Sequence, residues 1–246
     1  MVVLLIACCW IWLPADAPAS SPGDHEFVVG NYTAAVAAYD SLLLTSQDPA
    51  RILWRLARVY VCIGDIAEDS LKEHAYLKAE RYARTCLNND STVSEAHAWL
   101  AAALGNIAMN AGGKKKVLLC NEIKEHLERA IVLDPENDIA YSILGSLYMA
   151  LGNVSWIERQ LAYLFLGDLP EGGYEDAEQA LLNAVGIAPR VIRHHYELAT
   201  LYRTTGNTPK ALQEYSHALA LPSVLASDPR TKESARRWLG ELRDEE

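Results

Sequence analysis

Four times in this chain a small residue, an aromatic or bulky apolar residue and an alanine return at the spacing of a two-helix repeat, and the clearest copy runs from Leu198 to Pro222. Counted from Gly206, Ala211 stands at plus five, Tyr215 at plus nine, Ala218 at plus twelve and Pro222 at plus sixteen, with Leu198, Ala199 and Tyr202 before it. This is the tetratricopeptide pattern. Small residues let the two helices of a pair approach closely, and the aromatics fill the space between pairs. The pattern predicts an all-α chain, a right-handed superhelix of tetratricopeptide-like helix pairs with inserted helical segments.

Other stretches fall on the same frame. Leu53, Leu56, Ala57, Tyr60 and Gly64 predict a first helix, with Ala79, Ala83, Cys86 and Leu87 on its partner. His97, Leu100, Ala101 and Leu104 pair with Ile123, Leu127, Ala130 and Ile131; Tyr141, Leu144, Gly145 and Tyr148 pair with Tyr174, Ala177, Leu181 and Ala184. Gly30, Tyr32, Ala35, Tyr39 and Leu43 read as a second helix whose first helix is missing or degenerate. Pro49, Pro135 and Pro189 stand where one helix must end before the next, because proline lacks a donor and fixes its backbone angle.

The expected organisation is an apolar leader or anchor remnant over residues 1–23 and a repeat domain over 24–246 that ends in a capping helix. Residues 2–13 are almost wholly apolar, and Ala17-Pro18-Ala19 resembles a signal cleavage site, yet no basic region precedes them. A cleaved secretory signal over residues 1–19, a lipoprotein-like box at Leu5 to Cys8 and the stump of a membrane anchor all remain open. Cys62, Cys86 and Cys120 sit at helix positions with no paired spacing, which implies neither a disulfide framework nor a zinc site and favours a reducing, cytoplasmic compartment. The sequons at Asn31, Asn89 and Asn153 carry no weight there. A net charge of −10 argues against nucleic acid as a general partner, since binding it needs a dominant basic surface.

Catalysis has little support. His194 and His195 are adjacent on one helix and so point apart, with His195 on a packing position. Glu122 and His126 can touch, but no third ligand stands at a matching spacing, so no metal, cofactor or catalytic residues are expected. Neither a phosphate-binding glycine loop nor a nucleophile elbow is present.

Three interruptions depart from a plain array. Residues 65–75 add polar sequence between the helices of one pair, Gly112-Gly113 with Lys114 to Lys116 read as a flexible basic hinge, and Asn153 to Gly173 hold an amphipathic stretch from Trp156 to Phe165. With these in place, Leu53 to Arg58, His97-Ala98-Trp99, Ile123 to Ile131 before Asp134-Pro135, and Trp156 to Arg159 leading into Tyr174 to Ala177 together resemble the regulator of microtubule dynamics family, from about residue 30 to residue 242. The resemblance implies a non-enzymatic repeat scaffold associated with microtubules and spindle poles. It also implies, through a membrane-anchored branch, phospholipid binding at contacts between endoplasmic reticulum and mitochondria. The expected location is the cytoplasm with the cytoskeleton, the alternatives being an organelle membrane or the secretory route.

Two surfaces are candidates for contact. On the repeat frame Arg51, Trp54 and Arg58 face the concave groove with Arg55 beside them, and Arg193, Tyr196 and Arg203 take equivalent positions in the last pair. Such arginines suit carboxylates of an acidic tail, tubulin's among them by the resemblance, or lipid phosphates. The other reading is that they pair with Asp and Glu of adjacent helices. In the insert, Trp156, Arg159 and Phe165 either contact a membrane or lipid, or the segment packs down on its own superhelix.

Overall fold

The computed structural model describes residues 21–244, and every described element is helical. The leader and its candidate cleavage site near Ala19 lie outside the described residues. Five antiparallel pairs follow one another: α1 (Pro22–Val28) with α2 (Tyr32–Thr45), α3 (Ala50–Ile66) with α4 (Asp69–Asn89), α5 (Ser94–Met109) with α6 (Gly113–Leu133), α7 (Asp138–Gly152) with α9 (Tyr174–Ile187), and α10 (Ile192–Thr204) with α11 (Thr208–Ala220). The insert forms α8 (Trp156–Phe165), and α12 (Asp228–Asp244) covers the last pair.

The repeat positions are the core. The small residues Ala57, Ala101 and Ala199 and the partner-helix residues Tyr39, Ala83, Leu127, Leu181 and Tyr215 are all fully buried. Turns between helices repeat a device: Gly30 and Gly206 take positive φ, and the Asn that follows each caps the next helix, Asn31 through the Ala34 amide and Asn207 through the Lys210 amide. Glycine enters that left-handed region without a Cβ penalty, and the Asn side chain satisfies an otherwise orphaned amide.

The missing first helix of the opening pair is present as the seven-residue α1, which begins at Pro22 behind a Ser21–Asp24 capping box. The added polar sequence of residues 65–75 ends α3 and forms the first two turns of α4. The basic hinge is corrected as well. Gly112 caps α6 and Lys114 to Lys116 lie in its first turn, drawn into the helix by the apolar positions Val117, Leu119 and Ile123 behind them. No described helix is long and apolar enough to cross a membrane.

The ends of the array meet. A Cβ on Gly30 would lie 2.4 Å from the Cβ of Ala226, and Arg230 donates to the Asp65 carbonyl at 3.1 Å. The start of α12 and the segment that leads into it thus touch the first two pairs.

Candidate functional site

Two of the groove candidates on α3, Arg55 and Arg58, are held by one carboxylate. Asp24 accepts hydrogen bonds from Tyr39 Oη at 2.7 Å, Arg55 Nε at 3.2 Å and Arg58 Nη2 at 3.2 Å. Burial alone would raise this carboxyl, but the bonds from Tyr39 and Ser21 and the Arg55 charge outweigh it and hold it down at about 2. Arg58 is also stacked over Phe27 at 3.8 Å, and Arg55 over Trp54 at 4.3 Å. Of the basic stripe, Arg55 and Arg58 are therefore engaged internally. Arg51 is exposed and makes no ion pair among the described residues.

The last pair divides in the same way. Arg203 is half-buried and lies over the Trp238 ring at 3.8 Å, its Nε buried without a hydrogen-bond partner, so its guanidinium is engaged with α12. The side chain of Arg193 is 59% exposed, with only a 3.7 Å contact to Glu197, and Tyr196 leans on Tyr215 with ring centroids 5.8 Å apart. Burial pushes the Cys62 thiol up to about 11, while the charges of Arg193 and Arg58 pull against it. Among the groove candidates Arg51 and Arg193 are exposed, and Trp54 and Tyr196 are half-buried.

The insert departs from the expectation that it packs down. Trp156, Ile157, Leu161, Leu164 and Phe165 are all exposed, Trp156 and Phe165 at 74% each, and Ala162 is its one buried residue. These apolar residues spread over half the circumference of α8, with Trp156 and Phe165 at its opposite edges, and Ala162 and Arg159 lie on the other half, toward the body. Arg159 is the tether: its Nη1 donates to the Pro170 carbonyl at 3.2 Å and its Nη2 to that of Leu151 at 3.3 Å. Leu166, just past α8, reaches Gly113, where a Cβ would sit 3.0 Å from it, so the outward apolar face stands beside the Lys114 to Lys116 turn.

The histidines do point apart. His194 Nε2 meets Asp138 at 2.7 Å, and His195 Nδ1 meets Glu214 at 2.7 Å. His126 is closer to His97, 2.8 Å between their Nδ1 atoms, than to Glu122 at 3.9 Å. Burial lowers both His97 and His126, the latter to about 4. Two clusters went unread in the sequence. Asp24 lies in a helix too short to register as a repeat element, and the approach of His217 to His195 and Glu214 is visible only once α10 and α11 are laid side by side on the repeat frame.

Five helix pairs with buried small-residue seams and a capping helix define a tetratricopeptide-like solenoid, and the crystal structure of TTC0263, a thermophilic TPR protein in Thermus thermophilus, superposes with a TM-score of 0.65 at 18% identity over 89% of this chain and 94% of that one. That likeness establishes the fold. The family described as Regulator of microtubule dynamics protein 1-3 matches residues 26–243, and this chain belongs to it. Regulator of microtubule dynamics protein 3 of Bos taurus is 30% identical over 179 residues, 72% of this chain and 38% of the relative. The Xenopus laevis protein of the same description is 28% identical over 201 residues, 81% of this chain and 43% of its own. The chain thus spans less than half the length of these relatives.

Proposed function

We propose that this chain is a non-enzymatic recognition scaffold whose partner is the microtubule, bound through the acidic tails of tubulin, in the cytoplasm and at the spindle. The observation that carries the reading is membership, across nearly the whole described repeat domain, of a family named for regulating microtubule dynamics. The groove candidates support it, because Arg51 and Arg193 are exposed guanidinium groups, each three residues before a half-buried aromatic on its own helix, Trp54 or Tyr196. Arginine forks grip carboxylates in pairs, and aromatic walls add stacking area.

The test uses co-sedimentation with polymerised tubulin. Reversing Arg51 and Arg193 together to Glu should weaken binding about tenfold at low salt, from roughly 1 kcal/mol or less per exposed pair, while added salt should weaken the wild type itself. Arg55 and Arg58 are unsuitable for this experiment because changing them strips Asp24 of both its arginine partners. If the double reversal binds microtubules as well as wild type, the groove is not the binding face.

A second reading, association with anionic phospholipid at organelle contacts, is favoured by one specific observation: the exposed apolar face of α8 beside the Lys114 to Lys116 turn. An amphipathic helix with aromatic residues and neighbouring lysines suits a membrane interface. Here Trp156→Asp with Phe165→Asp should abolish flotation with phosphatidylserine vesicles and leave the melting temperature unchanged, because neither side chain is buried. Equal flotation of the variant overturns this reading and leaves the groove reading intact. A secreted repeat protein would require cleavage near Ala19, and imaging the protein with a C-terminal tag separates the three locations.

A further inference from the structure

The α10–α11 pair holds a convergence of ligand atoms that microtubule or lipid binding does not use. His195 projects from the first turn of α10, and Glu214 and His217 project from one face of α11 at i and i+3. Glu214 Oε2 lies 2.7 Å from His195 Nδ1 and 3.8 Å from His217 Nδ1, and one ligand atom from each of the three residues falls within 4.8 Å of the others. The two imidazoles stand edge to face, their centroids 5.6 Å apart.

We propose that His195, Glu214 and His217 form a binding site for a divalent transition-metal ion of the zinc type.

The donor and acceptor count is the first argument. His195 Nε2 lies 2.9 Å from the Pro189 carbonyl oxygen, which can only accept, so this nitrogen carries the proton and donates. Nδ1 then presents a lone pair to Glu214 Oε2, and a carboxylate also brings only lone pairs. Two electron-pair donors at 2.7 Å need a cation shared between them: a proton fills that place in the metal-free protein, and a metal ion that displaces it parts the two atoms slightly. A metal ion can take the proton's place, and a ligating histidine that donates its other N–H to a backbone carbonyl is the usual support for one.

The third pair supplies an internal control. His97 occupies the position equivalent to His195, and its Nε2 likewise faces a backbone carbonyl, that of Ser91, at 3.2 Å. Its Nδ1, however, meets His126 Nδ1 at 2.8 Å, and a neutral imidazole can donate to its neighbour. The proton count closes there without a cation. Only in the fifth pair has the facing residue become a carboxylate with a second histidine one turn along.

Ligand type and space agree. Two imidazoles and a carboxylate are a set zinc accepts, with bonds of about 2.0–2.2 Å. Such bonds place tetrahedral ligand atoms roughly 3.3–3.6 Å apart, a value bracketed by the two observed separations from Glu214. His195 is buried, Glu214 is largely covered, and His217 is exposed, with room for its side chain to turn inward. A cavity of about 320 Å³ bounded by Pro189, Arg190, His195, His217, Leu221 and Pro222 opens on the site and leaves room for a fourth ligand. Arg190 places a positive charge at that opening, which favours an anionic fourth ligand over a neutral one.

The experiment is a calorimetric titration of Zn2+ into the full chain after chelator treatment and dialysis, with Mg2+ as the control ion. Expected are one saturable Zn2+ site, no heat from Mg2+, and a rise in melting temperature with Zn2+. His217→Ala removes an exposed ligand without disturbing the core and should weaken Zn2+ binding roughly tenfold to a hundredfold and abolish the thermal shift. Glu214→Gln should weaken it similarly, with folding checked by circular dichroism. Absence of a Zn2+ heat overturns the proposal and leaves His195 as a protonated partner of Glu214. A Zn2+ affinity unchanged in His217→Ala also overturns it, since the ion is then bound elsewhere.

Discussion

Tyr39→Ala should cost about 3–5 kcal/mol of stability, as expected for truncating a large buried aromatic. Tyr39 is fully buried, and its ring lies against Gly23 so closely that a Cβ there would come within 2.5 Å of it. Its hydroxyl donates to Asp24 at 2.7 Å and accepts from Arg58 at 3.1 Å. Truncation therefore opens a cavity between α1, α2 and α3 and also strips a partner from a carboxylate and a guanidinium. Tyr39→Phe keeps the ring and should cost only about 1–2 kcal/mol. Because solenoid pairs contact mainly their neighbours, hydrogen exchange in the Ala variant should accelerate first in α1 to α3. Asp24 gives the same prediction a pH axis. With its folded value near 2, below the unfolded 3.8, its contribution is present above the unfolded value and is lost as pH falls through the folded one. Loss of the Tyr39 bond raises the folded value, so both variants should acid-unfold at higher pH than wild type. A denaturation midpoint for Tyr39→Ala within about 1 kcal/mol of wild type would remove Tyr39 as the keystone of the first pair.

The sequence carried the pairs because close helix approach admits few solutions. Ala57, Ala101 and Ala199 recur since only a small side chain lets the partner helix come near, and that demand is local and periodic. Where a side chain's partner is distant in sequence, the pattern is silent. Asp24 meets Arg55 and Arg58 more than thirty residues away, as the separations of 31 and 34 show, and nothing in the spacing of α3 distinguishes an arginine held from below from one open to a ligand. The amphipathic period of α8 was legible, but which face would be covered was not. Apolar residues ordinarily turn inward, and here Arg159 holds the opposite face to the body through two carbonyls while Trp156 and Phe165 point outward. The lysines of α6 misled for another reason: positive charge at a helix N-terminus opposes the macrodipole, so Gly112-Gly113 followed by lysines reads as loop even though tertiary contacts make it helix.

Gly145 and Leu181 carry the second large effect, because their contact is the seam that holds the two ends of the insert together. Gly145 sits in mid-helix in α7, and a Cβ there would lie 2.5 Å from Cγ of the fully buried Leu181. Glycine at such a position forfeits about 1 kcal/mol of helix propensity relative to alanine. The overlap that alanine would create costs about 1–3 kcal/mol, and with no free space around Leu181 the overlap wins, so Gly145→Ala should be net destabilising. Gly145→Leu should be worse by several-fold and can unpair α7 from α9 altogether. The decisive measurement is a double-mutant cycle. Leu181→Ala alone should cost about 2–5 kcal/mol through the cavity it leaves, and combined with Gly145→Ala it should cost less than the sum by roughly 1–2 kcal/mol, because the new methyl then occupies vacated space. Strict additivity would mean that the two residues do not share a contact. The consequence reaches the surface. Tyr174 at the start of α9 hydrogen-bonds Asn153 at the end of α7 at 2.7 Å, pinning together the two points from which the insert departs. A variant that loosens this seam should therefore lose vesicle flotation by α8 while Arg51 and Arg193, on other pairs, still support co-sedimentation with microtubules, and that separation of two binding activities by one core substitution is the outcome expected if the pairs behave as semi-independent units.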